Sequence, residues 1–326
     1  MSSLPPEAAK DVTEWLGPGW TAHPLAGDAS VRAYYRIHTP DRGTFILSYY
    51  PPEVRAQLER FLGAYEAVAP YGRVPRVLQH SDAAVLQLDA GDRSLFDVLH
   101  ENREEGIRLY RAAIDLLVDF QRARAEVNKP FDAGWFFNEL EMAREFFVDK
   151  LVGIDGSDAL RPILKSLSEK VAQHPYVLCH RDFHGENLQI KDDTIYLIDY
   201  QDLRMGPHTY DVASLLRDRG VARILGDDVE MDLLDYYGSL IGAKGGLRDC
   251  YFETLLQRSI KILGTFSKQP ITRGKMHYIE FIPAALESVE RCLGELPEWR
   301  ALGPWFPKDF SIERATARAR SLYGST

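Results

Sequence analysis

Three short apolar runs, YVLC (176–179), NLQI (187–190) and TIYLID (194–199), interrupt a half of the chain that is otherwise patterned as helix. Apolar runs this short have strand length rather than helix length. The loops between them are filled with His, Asp and Asn. The surrounding segments carry helical stripes: Tyr110, Ile114 and Leu117 in one, Phe136, Leu140, Ala143 and Phe147 in a second, Phe252, Leu255, Leu256, Ile260 and Leu263 in a third. A short β-hairpin set into a helical lobe is therefore expected.

The first ninety residues follow a different pattern. AYYRI (33–37) and TFILSYY (44–50) are rich in aromatic and β-branched residues and flank the turn Pro40-Asp41-Arg42-Gly43, which predicts a hairpin. Pro51 and Pro52 open a helical run with Val54, Leu58, Phe61 and Leu62 on one face. A further strand, AVLQL (84–88), ends at Asp89-Ala90-Gly91-Asp92, the candidate connection between lobes. The expected fold is α+β with two lobes: a β-rich lobe over 1–88 and a mainly helical lobe over 89–326.

Composition narrows the partners. With 326 residues, 45% of them hydrophobic, the chain can build one large or two modest cores. Its net charge of −9, with Lys and Arg scattered, argues against nucleic acid, which demands concentrated positive charge. Cys179, Cys250 and Cys292 include no C-x-x-C pair, so neither a disulfide framework nor a cysteine zinc site is suggested. The N-terminus lacks a basic start followed by an apolar run, and no stretch is apolar enough to span a bilayer. A cytoplasmic monomer acting on a small molecule is expected, with no membrane partner. No fixed-period repeat or low-complexity tract is visible.

The chemistry concentrates in Cys179-His180-Arg181-Asp182-Phe183-His184-Gly185-Glu186-Asn187 and in Asp199 at the end of the next apolar run. The spacing places a carboxylate and a carboxamide on one loop, and a second carboxylate arrives from the following strand. Phosphoryl transfer needs a group that orients and deprotonates the attacking hydroxyl, plus oxygen ligands holding Mg²⁺ on a triphosphate. Asp182, Asn187 and Asp199 can supply these parts. Two other readings compete: Asp199 as an ordinary turn former, and His180, Asp182 and His184 as ligands of a transition metal in a hydrolase.

HRDFHGEN followed by IDYQD resembles the catalytic loop and metal-binding strand of the aminoglycoside phosphotransferase and choline kinase branch of the protein-kinase-like superfamily. The resemblance implies a two-lobed kinase-like fold, Asp182 as catalytic base, Asn187 and Asp199 as Mg²⁺ ligands, and ATP between the lobes with its base near Gln87, Leu88 and Asp89. His180 and Asp211 would support the loop. A small-residue turn, Gly27-Asp28-Ala29-Ser30, leads into Val31-Arg32; Asp28, Ser30 and Arg32 are candidate phosphate contacts, since such a turn lets backbone N–H groups approach phosphate oxygens.

The sequence departs from the kinase pattern at one point. The strand FILSYYP offers Ser48 where the pattern places a phosphate-binding Lys, so Arg32 or Arg36 must supply the charge, or transfer is lost. GDASVRAYYRI, the Lys-free strand, LDAGDRSLFDVL, HRDFHGENLQI, LIDYQDLRMGPHTYDVASLLRD and LQRSIKILGTF together look like the anomeric sugar kinases of cell-wall recycling. That resemblance runs from about residue 25 to about residue 285 and implies transfer to the 1-hydroxyl of an N-acetylated amino sugar. Aminoglycoside, choline, ketosamine and homoserine kinases share the loop and remain alternatives, as does a catalytically silent nucleotide-binding protein. Gln201 and Asp202 face the sugar or cap the loop. Arg217 and Asp218 read as an ion pair, and Trp135, Phe136, Phe137, Phe146 and Phe147 as core or as a stacking wall.

Overall fold

The structure is a computed structural model that describes residues 4–25, 31–125, 127–154 and 157–323. In chain order the strands and α-helices are α1 (Pro6–Leu16), β1 (Thr21–Leu25), β2 (Ala33–Thr39), β3 (Gly43–Tyr49), α2 (Ala56–Val68), β4 (Val77–His80), β5 (Ala84–Leu88) and β6 (Arg93–Ser94). Next come α3 (Leu95–Glu101), α4 (Arg103–Phe120), α5 (Ala133–Ala143), α6 (Arg161–Val171), β7 (Tyr176–Cys179), β8 (Leu188–Lys191), β9 (Thr194–Leu197) and β10 (Arg204–Pro207). The remainder is helical: α7 (Tyr210–Arg217), α8 (Val221–Leu225), α9 (Asp227–Ile241), α10 (Leu247–Arg273), α11 (Ile282–Glu295) and α12 (Ile312–Tyr323). Two compact units result, one spanning 1–128 with 180–204, the other 129–179 with 205–326. No helix among the described residues is long and apolar enough to cross a membrane.

In the first unit an antiparallel sheet runs in the order β1-β2-β3-β5-β4. Gly43 at φ +79° closes the β2–β3 hairpin opposite Thr39, at the turn signalled by Pro40-Asp41-Arg42-Gly43. Side chains alternate across the sheet. Tyr35, Ile37, Phe45, Leu47, Ala84 and Leu86 share one buried cluster with Ala8 and Val12 of α1. The register pairs Tyr34 with Ser48 and Ser48 with Val85, then Arg36 with Ile46 and Ile46 with Gln87, so these residues occupy the opposite face.

A second, three-stranded sheet in the order β6-β8-β9 carries the predicted hairpin. Its turn is two residues long, Asp192 and Asp193, both with positive φ (49° and 57°), as a turn matched to strand twist requires. Leading into β8, Gly185 lies against α3 and α4: a Cβ there would stand 2.9 Å from both the Phe96 backbone nitrogen and the Tyr110 hydroxyl. Ser94 and Asp97 form a reciprocal cap that fixes the start of α3.

In the second unit, Phe252, Leu255, Leu256, Ile260 and Leu263 of the striped segment are buried along α10. Phe136 and Phe147 are completely buried and Phe146 nearly so, which makes them core; Trp135 stays 38% exposed, its Nε1–H donating to Glu139 at 3.0 Å. One expectation is corrected. Arg217 and Asp218 do not pair with each other, because α7 ends at Arg217 and Asp218 is extended, which sends the two side chains apart. Arg217 instead binds Glu230 and Asp227, and Asp218 accepts from Ser214 and Arg258, each at 2.5 Å.

His208 is buried beside His174, which bonds Glu253 at 2.8 Å. Desolvation, then the neighbouring His174, lowers the His208 pKa to about 4. Because the folded value lies below the unfolded one, the folded state resists protonation: His208 adds no penalty above pH ~6.5 and progressively destabilises as pH falls toward about 4. Urea unfolding at pH 7 and pH 4.5 should show a stability difference that shrinks by about 2 kcal/mol in His208→Gln. Gly185→Ala should lower stability by roughly 1–3 kcal/mol through overpacking against Phe96 and Tyr110, read as a shifted urea midpoint with unchanged slope.

Candidate active site

The acidic loop and its hairpin are tied together by backbone chemistry within the first unit. His180 is 1% exposed. Its Nε2–H donates to the Ile198 carbonyl at 2.9 Å, while Nδ1 accepts from the Asp182 N–H at 3.3 Å. Both ring nitrogens are thereby used, so His180 fixes the loop and is no metal ligand. Among the described residues no group of three or more His, Cys, Asp and Glu is placed to hold a metal ion. The hydrolase alternative built on His180, Asp182 and His184 falls with these two observations.

Asn187 closes the loop. Its Nδ2 donates to the Asp182 carbonyl at 2.8 Å, its backbone N–H to His184 at 2.9 Å, and its own carbonyl accepts from Ile198 N–H at 3.0 Å. The amide nitrogen is occupied, which leaves Oδ1 as the ligand-type atom. Arg181, at φ +81°, and Asp199, at φ +63°, sit in the left-handed region that non-glycine residues rarely adopt. Such backbone strain clusters at functional sites. Asp182 and Asp199 are exposed carboxylates, and Asp199 accepts from Gln201 Nε2 at 2.8 Å. Gln201 is thus a buried brace for Asp199, whereas Asp202, near Arg60 at 3.9 Å, is partly open.

The sheet face opposite α1 meets this hairpin. Arg32 Nη2 lies 3.9 Å from Asp199 Oδ1, and its guanidinium sits 5.7 Å and 5.9 Å from the ring centroids of Tyr34 and Tyr50. Burial pulls the Arg32 pKa down, but Tyr34, Tyr50 and Asp199 outweigh it and leave it above its ordinary value. Burial lifts Tyr34 to about 12. Gln87 Nε2 donates to the Tyr200 hydroxyl at 3.2 Å and to the Pro75 carbonyl at 3.1 Å.

Asp89 is pinned. Burial raises its pKa, yet the Gly91 N–H, Thr44 and Arg36 together hold it below the usual carboxylate range. Arg36 Nε stands 2.8 Å from the Asp89 carboxylate, and Lys191 Nζ donates to the Asp89 carbonyl at 2.8 Å. The Gln87 and Asp89 side chains therefore organise the connection, while Leu88 projects outward, 36% exposed. Asp28 and Ser30 lie outside the described residues. Asp211 is fully buried in the first turn of α7, in the second unit. Tyr34, Tyr50, Tyr200 and Lys191 were missed from sequence; alternation along β2 and β3 would have put Tyr34 on the Arg32 face.

The family model described as Phosphotransferase enzyme family matches residues 21–249. An N-acetylmuramate/N-acetylglucosamine kinase of Pseudomonas aeruginosa is 27% identical over 295 residues, covering 86% of each chain. A protein of the same name from Neisseria meningitidis is 28% identical over 295 residues, covering 82% of this chain and 84% of that protein. Among solved structures, a streptomycin-ATP-APH(2")-IIa ternary complex has a TM-score of 0.59 at 13% identity, covering 81% of this chain and 91% of that one. A choline/ethanolamine kinase family protein from Mesorhizobium loti has a TM-score of 0.57 at 17% identity, covering 97% and 98%. These likenesses give the chain the kinase-like fold, with a β-sheet preceding a mostly helical remainder. The matched segment contains the entire acidic loop and hairpin, and the chain belongs to the phosphotransferase enzyme family.

Proposed function

We propose that this protein transfers the γ-phosphate of ATP to a hydroxyl of a sugar, the anomeric 1-hydroxyl of an N-acetylated amino sugar such as N-acetylmuramate or N-acetylglucosamine. One observation carries the reading: Asp182, Asn187 and Asp199 belong to a single hydrogen-bonded loop and hairpin. The names of the relatives support the choice of sugar. In this role Asp182 accepts the proton of the attacking hydroxyl. An anomeric hydroxyl is more acidic than an ordinary alcohol, so an exposed carboxylate suffices as acceptor.

Asn187 and Asp199 fit Mg²⁺, because both offer hard oxygen donors. When bound, Mg²⁺ would neutralise and orient the phosphates. The β-rich lobe over 1–88 would carry the nucleotide, with the base along Gln87, Leu88 and Asp89, and 89–326 the acceptor, with Asp202 toward the sugar and Asp211 as a buried support. A cytoplasmic monomer fits this chemistry.

ADP release measured across a panel of sugars and amino alcohols tests the acceptor. N-acetylated amino sugars should lead it, and turnover led by choline or an aminoglycoside would replace the sugar reading. Asp182→Asn should cut turnover by roughly 10²–10⁴-fold with nucleotide affinity largely kept; near-normal turnover would remove it as base. Asp199→Ala should abolish Mg²⁺-dependent nucleotide binding, measured calorimetrically with and without the metal.

A further inference from the structure

A carboxamide carries donors at one end and an acceptor at the other, so the partners of its nitrogen decide what its oxygen offers. Gln87 lies near the end of β5, on the sheet face turned away from α1, and is 8% exposed. Its Nε2 donates to the Pro75 carbonyl at 3.1 Å and to the Tyr200 hydroxyl at 3.2 Å. A carbonyl oxygen can only accept, so the amide can take only one of its two orientations. Both N–H donors are thereby used. Among the described residues no donor meets Oε1, which is left as an acceptor of fixed direction.

The groups around it are held too. Tyr200 is 1% exposed, its ring lies 5.3 Å from that of Phe61 on α2, and burial raises its pKa, which keeps the phenol neutral. Along the connection, Leu88 N–H donates to the Arg76 carbonyl at 3.0 Å and Gly91 N–H to the Asp89 carboxylate at 2.9 Å, while the Asp89 carbonyl accepts from Lys191 at 2.8 Å. A fixed acceptor matches a purine that carries a donor on C6 and opposes one that carries an oxygen there. For the second kind, two acceptors would face each other with no proton between them.

We propose that Gln87 Oε1 selects the base of the phosphate donor, accepting from the 6-amino group of an adenine nucleotide and opposing the 6-oxo group of guanine or hypoxanthine. The amide cannot turn its nitrogen to a 6-oxo base without giving up both the Pro75 and the Tyr200 bonds. This rests on the phosphotransfer reading above, with the base along Gln87, Leu88 and Asp89, and adds the atom that discriminates.

Calorimetric titration of three triphosphates into the whole protein with Mg²⁺ tests it: ATP, purine riboside triphosphate, which lacks only the amino group, and inosine triphosphate, which has the 6-oxo group. Wild type should bind purine riboside triphosphate about threefold to tenfold more weakly than ATP, and inosine triphosphate about tenfold to a hundredfold more weakly. In Gln87→Met the first two should come within about twofold of each other, with ATP losing affinity and purine riboside triphosphate keeping it. The urea midpoint checks folding, and the wild-type series decides by itself if the variant does not fold. Equal affinity of wild type for ATP and purine riboside triphosphate, or a folded Gln87→Met that keeps the wild-type ratio between them, would overturn the proposal while leaving the phosphotransfer reading intact. Wild-type protein that binds none of the three would instead sink the phosphotransfer reading, and this one with it.

Discussion

The hydrogen bond from His180 Nε2–H to the Ile198 carbonyl joins the start of the acidic loop to the far end of its hairpin. It adds to the ties that Asn187 and the β8–β9 pairing make between the segments carrying Asp182 and Asp199. Phosphoryl transfer relies almost wholly on positioning and on charge, so relative placement decides whether two carboxylates amount to a site. Burying the imidazole makes the bond stiff, because a ring nitrogen deprived of water holds the partner it has. Asn187 completes the constraint from the other side by spending its amide nitrogen on the Asp182 carbonyl.

The five-stranded sheet divides its labour by alternation. One face packs on α1 through Tyr35, Ile37, Phe45 and Leu47, and that apolar contact holds the strands in register. The other face, freed from building this cluster, carries Tyr34, Arg36 and Gln87; Arg36 meets the connection at Asp89, and Gln87 donates to the Tyr200 hydroxyl just past the hairpin. A one-residue slip would bury Arg36 against α1 and turn Ile37 outward. The apolar face thus protects the register on which the polar face depends.

Much of this was legible beforehand. HRDFHGEN and IDYQD mark the loop and hairpin because their spacing is local, and local spacing survives folding. The β2–β3 hairpin followed from turn chemistry at Gly43. The Arg217–Asp218 pair was misjudged because neighbours in sequence are not neighbours on a helix end; Asp218 leaves α7 in an extended conformation and finds Arg258 instead. Gln201 reads from sequence as a sugar contact or a loop cap, and its amide reaches back two residues to Asp199.

The sequence by itself determined the order of sheet and helices, the acidic loop and its hairpin, and the absence of a cation on β3, all carried by spacing, periodicity and residue type within short windows. Only the tertiary structure decided which arginine stands beside Asp199 and which is consumed by Asp89, and that both His180 nitrogens are engaged. The arginine pairings depend on partners more than fifty positions away, as Arg36 and Asp89 show, and the His180 Nε2 bond on Ile198 eighteen positions on, while Nδ1 is met by Asp182 only two residues away. Distances between side chains brought together by strand register and packing are not encoded in any local pattern, so they exist only once the chain has folded.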